Sequence, residues 1–235
     1  MTPPVPRLVV LTDRQQVAAV GGDVATHAQA AARAGADAVV LREKDLPPDE
    51  RRALAFALAD ALADTNTVLV VAGDSDLARA VGAGGLHLAA DQPLPATPVG
   101  GLLLRSCHDD TEVARARRER VDAAVVSPVA ATASKPGYGP PLGADGLRHL
   151  VATAGDVPVL ALGGVTPDNV AGWCEAGAHG VVVMGAVMRA RDPGEVVTRL
   201  RDALDHADRP QAAPPAAGLA AATTTATTTD RPETR

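Results

Sequence analysis

The feature that most constrains this chain is a strict alternation. Short apolar, β-branched runs ("RLVVLT", "DAVVLR", "TVLVVA", "GLHL", "LLLR", "DAAVVS", "VPVLAL", "HGVVVM") are each followed by an Ala-rich helical stretch or a short substitute for one. Near-continuous apolar strands suit a sheet covered on both faces, and β-then-α order implies parallel pairing through crossovers. The helix-to-strand joints repeat too: "RAGADAVVL", "AVGAGGLHL" and "EAGAHGVVVM" each place Gly where a helix stops before the next strand. Eight such units in about 200 residues predict an α/β protein with a single (β/α)8 TIM barrel over residues 7–205, with an open doubly wound sheet as the alternative. From residue 206 to residue 235 the chain becomes rich in Pro, Thr and Ala without periodicity, which predicts a disordered low-complexity tail. The weakest helical segment is "QPLPATPVG".

A net charge of -6 argues against a nucleic-acid partner, whose phosphates need a basic surface. No apolar run is long enough to span a bilayer and the start lacks a signal-peptide pattern, so a cytoplasmic protein without membrane contact is expected. Cys107 and Cys174 belong to no C-x-x-C pair and read as small hydrophobes. Phe56, Tyr138 and Trp173 are the only aromatics, so Val, Leu and Ala must build the core.

A parallel barrel collects its chemistry at the C-terminal ends of its strands, with phosphate favouring the loops after strands seven and eight. There stand Gly163 and Gly164 in "LALGGVTPDN", and Gly185 and Ala186 in "VVVMGAVM", the latter pair placed to open a short helix. The second strand ends "VVLREKD", and period-two geometry turns Val40, Arg42 and Lys44 to one face. After strand six, "SPVAATASKPGYGPPLG" offers the hydroxyls of Thr132 and Ser134 and the cation Lys135. Strand five ends "LRSCHDD", giving Ser106 and His108 one parity and Arg105 and Cys107 the other; His108 is a candidate acid or base, or equally a packed or capping residue.

With these pieces placed, the chain resembles the thiamine phosphate synthase/TenI (thiazole tautomerase) superfamily. The matching segments are "VVLREKD", "VLVVAGDSDLA", "GLHLAADQPLP", "LRSCHD", "SPVAATASKPGYG", "LALGGVTPDNV" and "AGAHGVVVMGAV". The resemblance implies a barrel binding a phosphorylated thiazole. Arg42, Lys44, Thr132, Ser134 and Lys135 would contact phosphate oxygens, with Gly163, Gly164, Met184 and Gly185 at the thiazole-phosphate end and Ser106 and His108 matching the family's Ser-x-His. Synthases of this group join hydroxymethylpyrimidine diphosphate to thiazole phosphate through a pyrimidine carbocation, releasing pyrophosphate with help from Mg2+.

Three departures matter. Val40 stands where synthases carry a pyrimidine-binding glutamine, and Ala72–Gly73 stand where they carry Asn-Asp. Gln92 replaces the second metal-binding aspartate, with Asp74 and Asp91 each one residue away. Metal neutralisation of a leaving oxyanion is worth several kcal/mol, roughly a few orders of magnitude in rate. The leading expectation is therefore a thiazole tautomerase-like isomerase without a metal cofactor, in which His108 moves a proton. The alternative is a divergent synthase, a transferase needing Mg2+ with Asp74 or Asp91 as substitute ligands, and the second alternative is a non-catalytic phosphate-binding barrel. For "GDSD" itself the structural expectation is a helix from about Asp76 capped by Asp74 or Ser75. A homo-oligomer stays open.

Overall fold

In a computed structural model of the chain, residues 3–132 and 140–207 are described. Element by element, the order is β1 Leu8–Leu11, α1 Arg14–Ala19, α2 Val24–Arg33, β2 Ala38–Leu41, α3 Pro48–Leu62, β3 Val68–Ala72, α4 Ser75–Ala80, β4 Gly85–Leu88 and β5 Leu102–Cys107. It continues α5 Asp110–Glu119, β6 Ala123–Val126, α6 Gly143–Ala154, β7 Val159–Leu162, α7 Val170–Glu175, β8 Gly180–Val183, α8 Gly185–Met188 and α9 Pro193–Ala207. The eight strands pair in parallel, in chain order, and β8 returns to β1 through Leu8–Val181 and Val10–Val183 to close the barrel. The (β/α)8 architecture is the predicted one; seven strands lie within the runs that the alternation marks, and β5 extends two residues beyond "LLLR" to Cys107.

Two apolar layers explain why the strands alternate so little in polarity. Val9, Leu11, Val40, Val70, Ala72, Leu104, Val125, Leu160 and Val182 fill the barrel interior. Their sequence neighbours Leu8, Val10, Val39, Leu41, Val71, Leu86, Val126, Ala161 and Val181 pack outward beneath the helices. Period-two geometry thus sends successive apolar residues into two different cores.

The helix starts follow local chemistry. Asp13, Asp23, Asp74 and Asp109 each accept a backbone N–H from three residues on, capping α1, α2, α4 and α5. The expected helix in "GDSD" forms one residue earlier than anticipated, from Ser75, with Asp74 as its cap. No helix forms over 92–100, because Pro93, Pro95 and Pro98 remove the N–H groups a helix interior needs. α9 continues through His206 and Ala207, and the rest of the predicted tail, 208–235, lies outside the described residues. Among the described residues no helix is long and apolar enough to cross a membrane.

Candidate functional site

The mouth of the barrel at the C-terminal strand ends holds a cavity of about 390 Å³. Arg42, His108, Thr132, Gly163, Gly164, Met184 and Gly185, seven of the residues predicted from sequence, line it together. Gly163 and Gly164 both have left-handed backbones (φ 108° and 62°), and a Cβ on Gly164 would stand 2.5 Å from the carbonyl oxygen of Ala131. Only glycine lets the β7 loop fold against the β6 loop there, and the side-chain-free turn leaves backbone groups open to an oxygen-rich ligand. Ser134 and Lys135 lie outside the described residues.

Beside this cavity lies a smaller cleft of about 290 Å³, lined by Asp13, Arg14, Gln15, Arg42, Glu43, Lys44 and Asp45. Arg42 belongs to both. Its backbone N–H donates to the hydroxyl of buried Thr12 at 3.0 Å, which fixes the β2 end against β1. Arg14 is answered by Glu43 at 3.0 Å and Asp45 at 2.8 Å. Neither the Arg42 guanidinium nor the Lys44 ammonium has an ion-pair partner within 4.0 Å among the described residues. Partial burial, then the charges of Arg42 and Arg51, hold the Lys44 pKa below its usual value, with Asp91 opposing them.

The aligned metal positions meet at this edge of the mouth. The Gln92 side-chain amide donates to the Gly73 carbonyl at 2.8 Å, so the β3 and β4 loops touch where the resemblance places two carboxylates. A Cβ on Gly73 would stand 3.5 Å from the Lys44 Nζ, which puts the ammonium beside the position of a missing aspartate. Asp74 does not substitute. One of its oxygens accepts the Leu77 N–H at 2.8 Å as the α4 cap, and the other faces the Arg51 guanidinium at 3.4 Å. Asp91 is exposed, and no group of three His, Cys, Asp or Glu side chains suited to a metal occurs among the described residues. These residues form no all-protein cage for Mg2+, an ion that one or two carboxylates together with substrate phosphates can also hold.

His108 stands in the cavity wall with an unforeseen partner. Glu112 accepts the His108 backbone N–H at 2.7 Å and meets its Nδ1 at 2.8 Å. The signal was present as Asp109-x-x-Glu112, a capping box at the start of α5 whose glutamate reaches back past the cap. Ser106 lies apart from the cavity wall, its hydroxyl 3.0 Å from the Nε2 of buried His87. Burial, then the charges of Lys44 and Arg42, push the His87 pKa down to about 4. Cys107 faces away as parity predicts, and burial raises its thiol to about 12, so it is no nucleophile. Arg105, also outward and fully buried, pairs with Glu119 at 2.6 Å and donates to the carbonyls of Ala89, Ala90 and Gln92, pinning the loop that carries Gln92. Arg189 borders the cavity unannounced by any motif.

The family profile described as thiamine monophosphate synthase matches residues 8–187, which spans the barrel from β1 to α8. The chain belongs to this family. Within the thiamine monophosphate synthase family, the thiamine-phosphate synthase of Moorella thermoacetica is 37% identical over 180 residues, covering 74% of this chain and 84% of that one. The thiamine-phosphate synthase of Albidiferax ferrireducens is 38% identical over 205 residues, covering 85% and 92%. Among solved structures, a thiamine phosphate pyrophosphorylase from Pyrococcus furiosus superposes with a TM-score of 0.73 at 24% identity, over 86% of this chain and 97% of that one, which supports the fold.

Proposed function

We propose that this thiamine monophosphate synthase family member is a transferase of thiamine biosynthesis that joins a pyrimidine diphosphate to a thiazole phosphate. The observation that carries the reading is the pair of adjoining cavities sharing Arg42. One suits a phosphate monoester at Gly163, Gly164, Thr132 and Gly185. The other presents Lys44 beside Arg42 for a second anion. Two anionic substrates need two such places; an isomerase with one substrate does not. The synthase names of relatives at 37% and 38% identity support the transferase over the isomerase placed first on sequence grounds.

In this reading the bond between the pyrimidine methylene and the diphosphate oxygen breaks with its electron pair going to pyrophosphate. The thiazole nitrogen then supplies the pair for the new carbon–nitrogen bond. Arg42 and Lys44 neutralise the departing oxygens. Val40, buried in the barrel interior, offers the pyrimidine no hydrogen bond, so orientation falls to the phosphates at either end.

A second reading, thiazole tautomerisation, is favoured by one feature: a cavity-lining histidine whose Nδ1 meets a carboxylate is arranged for proton transfer. The test offers both substrates with and without a chelator and follows thiamine phosphate by chromatography, while NMR follows tautomer exchange of the thiazole alone. The expected result is thiamine phosphate formed in both conditions, with Lys44→Ala slower by about 100-fold, as for loss of one oxyanion contact. Product only with added Mg2+ would overturn the cationic assignment. Tautomer exchange without product would install the second reading, and saturable binding with neither reaction would make the barrel a non-catalytic module.

A further inference from the structure

Arg189 closes α8 at the border of the cavity, and its placement depends on its neighbour. A Cβ built on Gly185 would come within 2.2 Å of the Arg189 Nη1 and 2.7 Å of its Cζ. The guanidinium therefore lies across the face of Gly185, in space that any other residue would fill. It also borders the same cavity as Gly163, Gly164 and Thr132. From the opposite side of the barrel seam, Gln16 on α1 accepts an Nη1 hydrogen at 2.6 Å. The side-chain carbonyl of Gln16 thus aims the fork, and the missing side chain at Gly185 admits it.

We propose that Arg189 is a ligand-binding residue that grips the phosphate monoester in this cavity, with Gly185 as the opening that admits it and Gln16 as its positioning residue. A planar guanidinium presents paired donors that match two oxygens of a phosphate, and such charge-assisted bonds are the stronger class. With Arg42 at the end of β2, Arg189 gives the cavity a second cation, which selects a phosphorylated ligand over its alcohol. The proposal deepens the reading of this cavity as the thiazole-phosphate site and rests on it for the identity of the ligand.

Calorimetric titrations separate the two. The ligands are thiazole phosphate, the corresponding thiazole alcohol and inorganic phosphate, and the proteins are the full chain and its Arg189→Ala, Arg189→Lys, Gly185→Ser and Gln16→Ala variants. Arg189→Ala is expected to weaken thiazole phosphate binding by about 30-fold, within the range of a hydrogen bond to a charged group, and to leave the alcohol unchanged. Lys at 189 restores part of the loss. Gly185→Ser reproduces the defect, and combining it with Arg189→Ala adds nothing, because both remove the same contact. Gln16→Ala gives a smaller loss in the same direction. Equal weakening of phosphate ester and alcohol, or additive losses in the double variant, would overturn the assignment. If the wild-type chain binds neither thiazole, the proposed function falls. Inorganic phosphate then still decides Arg189: weaker phosphate binding in Arg189→Ala sustains it, and unchanged binding refutes it.

Discussion

Replacing Asp74 by Ala tests whether "GDSD" is a structural device. Two interactions disappear together. The cap to Leu77 N–H is worth about 1 kcal/mol in comparable helices. The contact to Arg51 is long at 3.4 Å, with Asp74 41% exposed and Arg51 11% exposed, so its Coulomb part is screened and comes to about 1 kcal/mol. Arg51 keeps its bond to the Ala72 carbonyl at 2.5 Å, which limits the damage. The sum is about 2 kcal/mol, and a chain of this size loses about 2–4 °C of Tm per kcal/mol, giving a fall of about 4–8 °C. Asp74→Asn retains the capping oxygen and loses only the charge, so its fall is about half as large. Circular dichroism melts of the three proteins measure the series. Equal losses in the Ala and Asn variants would refute the cap. A melt unchanged in Asp74→Ala, accompanied by lost Mg2+ dependence of turnover, would refute the whole reasoning and make Asp74 a metal ligand.

His87 predicts an acid limb of stability. Its folded pKa, depressed to about 4, lies below the ordinary 6.5, so the unfolded chain binds the extra proton first. The contribution is complete above pH 6.5 and falls away as pH drops from 6.5 towards 4, by about 3 kcal/mol in all; chemical denaturation of the wild type and His87→Gln across that window should show the slope only in the wild type. Gly180→Ala should damage the barrel seam, since its Cβ would lie 2.3 Å from the Arg7 carbonyl that accepts the Val181 N–H at 2.7 Å. A loss of about 3 kcal/mol is expected in the urea midpoint, and a wild-type midpoint would show that β1 and β8 can separate without cost.

The barrel was legible because the property that builds it repeats. Eight apolar runs and the glycines between them are local signals, each interpretable without knowing its partners. The cavity wall was legible to the same extent: parity sends Arg42 to the mouth, and Gly163, Gly164 and Gly185 follow strands seven and eight, whose loops border it. Glu112 and Arg189 are different. Each joins the site through helical geometry that carries its side chain back over the mouth, Glu112 from the third position of α5 and Arg189 from the end of α8. A capping box marks Glu112 as a helix-start residue without pointing to His108, and nothing in the neighbourhood of Arg189 separates it from the other Arg residues of solvent-facing helix turns. The interlocking of Gln92 with Gly73 was hidden for another reason: the contact spans two loops 19 positions apart, and its meaning depends on which of them lost a side chain.

The loss of a carboxylate at position 73 and the presence of Lys44 form one electrostatic statement. An aspartate at 73 would place its side chain against the Lys44 ammonium, and the two would neutralise each other unless a divalent ion intervened. With glycine there, and with Gln92 turned to the backbone instead of the cleft, the ammonium keeps only the charge of Asp91, from beyond ion-pair distance, to oppose the nearby arginines. Asp74 is occupied by Arg51 and its helix cap, while Glu43 and Asp45 are occupied by Arg14. Asp91, exposed in the β4 loop, is the acid whose charge still raises the Lys44 pKa. A partly desolvated cation next to Arg42 gains most by meeting an anion from solution, because the attraction grows as the ligand displaces water from both charges. At the β2–β4 edge the residues at 73 and 92 therefore leave two neighbouring cations, Arg42 and Lys44, placed to meet an anionic ligand.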